Sequence, residues 1–83
     1  MNEVTAFRIV NGYQVWIKFQ DGVEKIVDFE PFLGKGFTAE LLQPEKFKQL
    51  YIEDGGGLAW PNGYDFCPNY LHDYVADVQL AQA

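Results

Sequence analysis

The chain has 83 residues, with twelve acidic and six basic side chains and a formal net charge of −6. This length accommodates one ordinary domain, and an apolar content of 48% with 17% aromatic residues excludes intrinsic disorder. A single cysteine excludes an internal disulfide and cannot by itself supply a zinc site. The acidic balance argues against direct nucleic-acid binding, because phosphate backbones attract Lys and Arg. We therefore expect one domain over residues 1–83, with no cofactor and no nucleic-acid partner.

The cellular location is predicted from two features of the sequence. No apolar run reaches the roughly 20 residues that span a bilayer, and the first residues lack the basic and apolar regions of a secretory signal. A lone thiol, Cys67, without an export signal is typical of a reducing compartment. We expect a cytoplasmic protein that does not contact a membrane.

The charges are distributed unevenly along the chain. All six basic residues precede position 49, whereas residues 49–83 contain no Lys or Arg and five acids: Glu53, Asp54, Asp65, Asp73 and Asp77. If this region forms one surface, that surface is negative and favours a basic partner. Solubility alone is the alternative reason for such a surface.

The first thirty residues predict a three-stranded antiparallel meander over residues 4–10, 13–19 and 23–29. Asn11-Gly12 is typical of a type I′ hairpin turn, and Gln20-Asp21-Gly22 provides the second turn. Pro31 ends the third strand because proline cannot donate a ladder hydrogen bond.

Alternation along the predicted strands assigns their faces. Val15, Ile17 and Phe19 fall on one face of the second strand, and Trp16 falls on the other. We expect an apolar group on this second face that marks an oligomer or partner surface, formed by Phe7, Ile9, Trp16 and Ile26. The alternative is that residues 30–46 fold over it.

The remainder predicts a short helical connector, a hairpin and a helix. Residues 32–36 fit a short helical turn or a loop, and residues 39–43 fit one helical turn. Residues 44–47 fit either another turn or the approach to a strand. Strands over 50–52 and 58–60 are joined by Gly55-Gly56-Gly57. A C-terminal helix opens at Pro68 or Asn69, with an apolar stripe of Leu71, Tyr74, Val75 and Val78. The predicted fold is α+β, with the C-terminal helix packed on the sheet.

Five groups of residues have some resemblance to phosphate-binding, catalytic or metal sites. The three glycines at 55–57 lack the Lys and Ser or Thr of a phosphate-binding loop. Cys67, His72 and Asp73 resemble a nucleophile with its base, but five residues do not place Cys67 and His72 on one helix face. Two carboxylate pairs are candidates for acid–base work, Glu53 with Asp54 and Asp28 with Glu30, and their residues fit turn and edge positions. Asp54 and Asp65 are the carboxylates available for a hard cation, without the spacing of an EF-hand. We expect no enzymatic activity.

The most distinctive string runs from Trp60 to Phe66 (W-P-N-G-Y-D-F). Trp and Tyr dominate binding hot spots, so we name Trp60, Asn62, Tyr64 and Asp65, together with Trp16, as candidate partner-binding residues. In the structural alternative, Trp60 anchors the core and Asp65 bonds turn amides. A third interpretation is a ligand pocket lined by Trp60, Asn62 and Asp65.

The order of these segments resembles the small prokaryotic domain-of-unknown-function family numbered 2442. The resemblance runs from residue 4 to about 72 and is most specific at Trp60-Pro61-Asn62-Gly63 with Asp65. It implies an α+β fold with a small antiparallel sheet, and some members are encoded in pairs reminiscent of toxin–antitoxin modules. No catalytic residues are carried over.

We therefore expect a cytoplasmic protein-interaction module that binds a protein partner or itself. One form of this expectation is that the chain is the acidic partner in a toxin–antitoxin-like pair. The alternative is a sensor domain for a small molecule or a metal.

Overall fold

The computed structural model describes residues 2–74 and contains two small antiparallel sheets joined by short helices. The first sheet comprises β1 (Val4–Asn11), β2 (Gln14–Phe19) and β3 (Glu24–Asp28). Two 3-10 helices (Glu30–Phe32 and Gly36–Leu42) and α1 (Pro44–Phe47) lead to the second sheet, and α2 (Pro68–Asp73) follows it. That sheet comprises β4 (Tyr51–Ile52), β5 (Leu58–Ala59) and β6 (Asp65–Phe66). The predicted α+β class and N-terminal meander are confirmed.

The first hairpin turns one residue later than predicted. Asn11 still pairs with Gln14, so the turn residues are Gly12, with a φ of 50°, and Tyr13. Across residues 2–74 no residue other than glycine has a positive φ, whereas a type I′ turn at Asn11-Gly12 requires one at Asn11. The type I′ prediction is therefore wrong. An irregularity between Ile9 and Asn11 displaces the turn along the chain.

The inner face of the first sheet forms much of the core. Val15, Ile17 and Phe19 are buried, as their alternation predicts. Phe7 lies opposite Ile17, and Ile9 lies opposite Val15, so both point inward and pack against the core. The prediction that Phe7 and Ile9 share the Trp16 face is wrong. A bulge between Val4 and Ala6 breaks the alternation and lets β1 turn Val4, Phe7 and Ile9 to one side.

The predicted second hairpin is a three-stranded sheet, because β6 pairs with β5. Two residues, Asp65 and Phe66, are too few to show an alternating pattern in the sequence. The amide of Val4 donates to the carbonyl of Gly56 (2.8 Å), which joins the start of β1 to the loop between β4 and β5. The two sheets therefore meet at this loop.

The connector is more helical than predicted. The second 3-10 helix begins at Gly36, and Pro44 occupies the first position of α1, where its missing amide hydrogen is not needed. Leu71 of α2 is fully buried, and the His72 ring contacts Phe19 edge-on, with centroids 4.8 Å apart. The helix therefore packs on the first sheet.

The C-terminal helix is shorter than the predicted stripe. It ends at Asp73, and the ψ of 135° at Tyr74 is outside the helical range. The predicted stripe positions Val75 and Val78 lie outside the described residues. Among residues 2–74, no helix is long and apolar enough to cross a membrane.

Candidate functional site

Trp60 lies in the core. Its side chain has no exposed surface, and its Nε1 donates to the carbonyl oxygen of Phe47 at 2.9 Å. The ring contacts Phe29 and Phe47, with centroids 5.5 and 5.6 Å away. Trp60 therefore anchors the core, as the structural alternative predicts. Only residues after Trp60 in this string contribute to the surface.

Asn62 holds the turn that follows Trp60. Its Oδ1 accepts from the amide of Tyr64 at 3.0 Å, and its Nδ2 donates to the carbonyl of Phe37 at 3.2 Å. The first contact closes an Asx-type turn, and the second fastens this turn to the second 3-10 helix. Asn62 thereby positions Tyr64 beside Phe37.

Tyr64 belongs to a surface row of rings, which we call the aromatic patch: Phe32, Phe37, Tyr64 and Tyr70. Phe37 is 60% exposed and meets Tyr64 edge-on, with centroids 5.6 Å apart. Tyr70 is 51% exposed and lies 6.1 Å from the Phe32 ring. Phe66, beneath the patch, contacts both Tyr64 and Tyr70 at 5.1 and 5.9 Å. The patch joins residues from three separate segments into one surface.

The Tyr64 ring is fixed at both ends. It stacks on Trp60, with centroids 5.8 Å apart, and its hydroxyl donates to the carbonyl of Phe32 at 3.2 Å. Partial burial raises the pKa of Tyr64, and the nearby Tyr70 hydroxyl adds to this effect. Tyr64 therefore presents a neutral and rigid ring at the centre of the patch.

Asp65 is exposed and pairs through its backbone with Ala59 of β5. Alternation along β6 turns it away from Tyr64 and Phe66, towards Glu53. Burial raises the pKa of Glu53, and repulsion from Asp65 and Asp54 raises it further. The structure thus brings Glu53 and Asp65 together, although the sequence pairs Glu53 with Asp54.

Trp16 lies half-buried on the outer face of the first sheet, between Arg8 of β1 and Ile26 of β3. The guanidinium of Arg8 lies 5.3 Å from the Trp16 ring, and Nε1 donates to Glu24 at 3.1 Å. Ile26 is 51% exposed. The outer face is therefore a mixture of apolar and charged groups, and residues 30–46 contribute their buried side chains to the core on the other side.

Cys67 and His72 do not form a catalytic pair in the part of the chain that the structure describes. Cys67 is exposed and precedes α2, and no hydrogen bond joins its thiol to His72. The Nε2 atom of His72 instead lies 2.9 Å from Asp21. The pKa of Asp21 is lowered, chiefly because its carboxylate accepts the amide of Val23 and also because of His72. His72 ties α2 to the turn between β2 and β3.

The remaining candidates have structural positions. Gly56 and Gly57 are buried where the backbone passes close to other segments, as expected of a hairpin loop. Asp28 accepts the amide of Glu30 at 3.0 Å, so it bonds a turn. Within residues 2–74, no group of three or more His, Cys, Asp or Glu side chains could hold a metal ion.

Asn62 also lines a cavity of about 240 Å³, but Trp60 and Asp65 do not. The other lining residues are Glu40, Leu41, Lys46, Gln49 and Pro61. The three residues proposed for a ligand pocket therefore do not converge on this cavity.

Two exposed aromatic residues, Phe37 and Tyr70, are absent from the sequence-based candidates. Phe37 lies in a connector without periodicity, so nothing in the sequence distinguishes it from a core residue. Tyr70 immediately precedes the buried Leu71 of α2, on the side that the apolar stripe leaves to polar residues. An aromatic residue on the polar side of this helix is the sequence signal that identifies Tyr70 as a candidate.

Comparison with known proteins yields one family. A family model described as "Protein of unknown function (DUF2442)" matches residues 4–76. No curated protein and no solved structure matches the chain.

Proposed function

This chain belongs to the DUF2442 family of proteins of unknown function, and we propose that it is a protein-interaction module rather than an enzyme. In this proposal it binds a protein partner or a second copy of itself in the cytoplasm of a prokaryotic cell. The specific form that we favour is the acidic member of a two-protein pair of the toxin–antitoxin type.

The observation that supports the proposal is the aromatic patch. Phe37 and Tyr70 keep more than half of their surfaces exposed, at 60% and 51%. Exposed large rings are depleted on free surfaces and enriched in binding hot spots, where they supply apolar area at a low cost in side-chain entropy. Because Tyr64 between them is held at both ends, a partner would not have to order the centre of the patch.

Catalysis and ligand sensing have weaker support in the described part of the chain. His72 contacts Asp21 rather than Cys67, and the paired carboxylates Glu53 and Asp65 have no third metal-ligating neighbour. These positions fit structural roles, whereas no structural role explains the exposure of Phe37 and Tyr70.

Affinity purification with a matched pair of variants tests the proposal. The tagged wild-type chain, the double variant Phe37→Ala/Tyr70→Ala and the control Ile26→Ala/Tyr51→Ala are expressed in the native host. The control removes apolar side chains of similar exposure elsewhere, since Ile26 is 51% and Tyr51 46% exposed. We expect a stoichiometric partner with the wild type and the control, and its loss with the patch variant.

The product of the adjacent gene is the expected partner in the two-protein form of the proposal. Size-exclusion chromatography with light scattering separates that form from self-association. If no protein, including a second copy of the chain, distinguishes the wild type from the patch variant, the proposed function is wrong.

A further inference from the structure

The first sheet has an open edge along β3, the third strand in the order β1-β2-β3. Next to this strand, the amide of Phe19 donates to the carbonyl of Val23 (2.9 Å) and that of Phe29 to Tyr13 (3.0 Å). These two bonds set the phase of the antiparallel ladder, in which alternate residues of β3 face β2. The residues between them point their N–H and C=O groups away from the sheet: Glu24, Ile26 and Asp28. Within residues 2–74 these backbone groups have no hydrogen-bond partner.

The opposite edge, β1, is protected against a further strand. Its register is irregular at two points, and its first residue, Val4, bonds to the loop of the second sheet. Bulges, prolines and inward-pointing charges are the usual features that prevent strand addition. The pairing of β3 with β2 has no irregularity, and β3 contains no proline. Its inward charge, Lys25, is bonded to carbonyls at the end of α2. The outer side of β3 is therefore available to a further strand.

The side chains of this edge alternate on the outer face in the order acidic, apolar, acidic: Glu24, Ile26 and Asp28. Ile26 is 51% exposed. In β2, Lys18 lies opposite Glu24, whereas the neutral Gln14 lies opposite Asp28. Neither carboxylate takes part in an ion pair within residues 2–74. Opposite charges on facing positions stabilise a strand pair, so an added strand is favoured by an apolar residue opposite Ile26 and a cation opposite Asp28.

Two sources of this strand within the protein itself do not match the charge pattern. A second copy paired along the whole of β3 about Ile26 would place Glu24 opposite Asp28 twice. Like charges directly opposite each other are destabilising. Residues 75–83 contain no Lys or Arg, so they offer no cation to Asp28. The pattern therefore favours a strand from another protein.

We propose that β3 accepts an extended segment of a partner protein as a fourth strand of the first sheet, with an apolar residue opposite Ile26 and an arginine or lysine opposite Asp28. The main-chain hydrogen bonds supply the attachment, and the side chains on the outer face supply the specificity. The surface consists of other residues than the aromatic patch, so the inference goes beyond the proposed function and does not depend on it.

Peptides selected from a random library displayed on phage serve as probes. The library is panned on the folded wild-type chain, and the selected peptides are titrated by fluorescence anisotropy against the wild type and Ile26→Pro. Proline removes the outward amide but no hydrogen bond to β2, so the edge strand tolerates it. We expect Ile26→Pro to raise the Kd at least about tenfold. Ile26→Ala keeps the amide and should raise the Kd less than about fivefold.

Hydrogen exchange followed by NMR tests the same contact in the wild-type chain, without any variant. In the free chain the amides of Lys25 and Val27, which face β2, should exchange slowly, and the outward amides should exchange fast: Glu24, Ile26 and Asp28. A bound peptide should slow exchange of the outward amides at least about tenfold. Protection of alternate residues is the pattern that strand addition produces.

The charge preference is tested by Asp28→Asn, which keeps an oxygen for the amide of Glu30, now bonded at 3.0 Å. We expect this variant to raise the Kd about threefold and to reduce the salt dependence of binding. Replacing the basic residue of the peptide by alanine should then have no further effect. Glu24→Gln is the matched control, and its effect should be smaller because Lys18 already lies opposite Glu24.

The outcomes separate this inference from the proposed function. If no selected peptide protects the outward amides of β3, the inference is wrong, and peptides that depend on Phe37 and Tyr70 would then support the proposed function alone. If the peptides protect these amides but contain no basic residue, the inferred partner chemistry is overturned. Light scattering covers the last case: a wild-type dimer that Ile26→Pro converts to a monomer would show that a second copy occupies the edge, against the inference.

Discussion

At Gly56 the loop between β4 and β5 passes so close to the start of the first strand that no side chain fits. A Cβ atom at this position would lie 2.5 Å from Cβ and 2.8 Å from Cα of Glu3. The φ of 91° is also in the region that L residues avoid. Gly55 has a similar φ of 96°, but open space surrounds it. A substitution at Gly55 would therefore introduce backbone strain alone, whereas a substitution at Gly56 would add a steric clash with Glu3.

We expect Gly55→Ala to lower the free energy of unfolding by about 1 kcal/mol through backbone strain alone. Gly56→Ala should cost about 2 kcal/mol more, because the backbone of Glu3 has to move and the hydrogen bond from Val4 to Gly56 is disturbed. Urea denaturation of the three proteins measures the difference. Equal losses for the two variants would show that the loop relaxes away from Glu3 at no cost.

The short helix α2 depends on contacts with the first sheet. Six residues are too few for a helix to be stable alone in water. Lys25, whose position among apolar neighbours interrupts the inner face of β3, donates from Nζ to the carbonyls of His72 and Tyr74 at the end of the helix. His72 adds the contact with Asp21. One inward lysine therefore caps the helix that covers its own sheet.

Lys25→Met keeps most of the side-chain length and removes the donor. We expect it to lower the free energy of unfolding by about 1–2 kcal/mol, because the carbonyls at the end of α2 lose a charged partner. Hydrogen exchange should show faster exchange at the amides of α2 than in the rest of the chain. The control is Lys18→Met on the exposed outer face, for which we expect a change within about 0.5 kcal/mol. Unaltered exchange in α2 would contradict the capping role.

The two sheets share one core at the scale of the whole molecule. Buried residues of the first sheet, such as Phe19, belong to the same cluster as Leu58, Trp60 and Phe66 of the second sheet and its turn. A hydrogen bond also joins them, because the amide of Val4 in the first sheet donates to the carbonyl of Gly56 in the loop of the second. We therefore expect residues 1–83 to unfold as one domain.

Each sheet can be followed separately to test this expectation. In a Trp16→Phe background, Trp60 fluorescence reports on the second sheet, while the amide NMR signals of Val15 and Val27 report on the first. Ile17→Val, a change confined to the first sheet, should lower the stability seen by both probes by the same amount, about 1 kcal/mol. If only the first-sheet signals shifted, the sheets would be independent units.

The sequence predicted local structure well where several residues repeat a pattern. Val15, Ile17 and Phe19 showed the inner face of β2 because a strand alternates its side chains. It could not show the bulges of β1 or the two-residue strand β6, because a bulge breaks the alternation and two residues form no pattern. Simple alternation therefore predicts the wrong face for Phe7 and Ile9.

The candidate site was predicted in part for the same reason. The string from Trp60 to Phe66 shows where rings and a turn lie close together in the chain. Tyr64 does belong to the aromatic patch, and Asn62 holds the turn that positions it. Phe37 and Tyr70 come from segments 27 and six residues away from Tyr64, and only packing brings them to it. Trp60, in the same string, packs against Phe29 and Phe47 in the core, where the carbonyl of Phe47 accepts a hydrogen bond from its Nε1.

By itself the sequence determined the α+β class, the meander and the acidic character of residues 49–83, since these depend on composition and on short repeating patterns. The tertiary structure decided which rings stay exposed and which carboxylates meet. Tyr70 and Trp60 have similar apolar character, and the difference between a core residue and a surface residue arises from the space left by the other elements. Glu53 and Asp65 likewise become neighbours only when β6 returns beside β5.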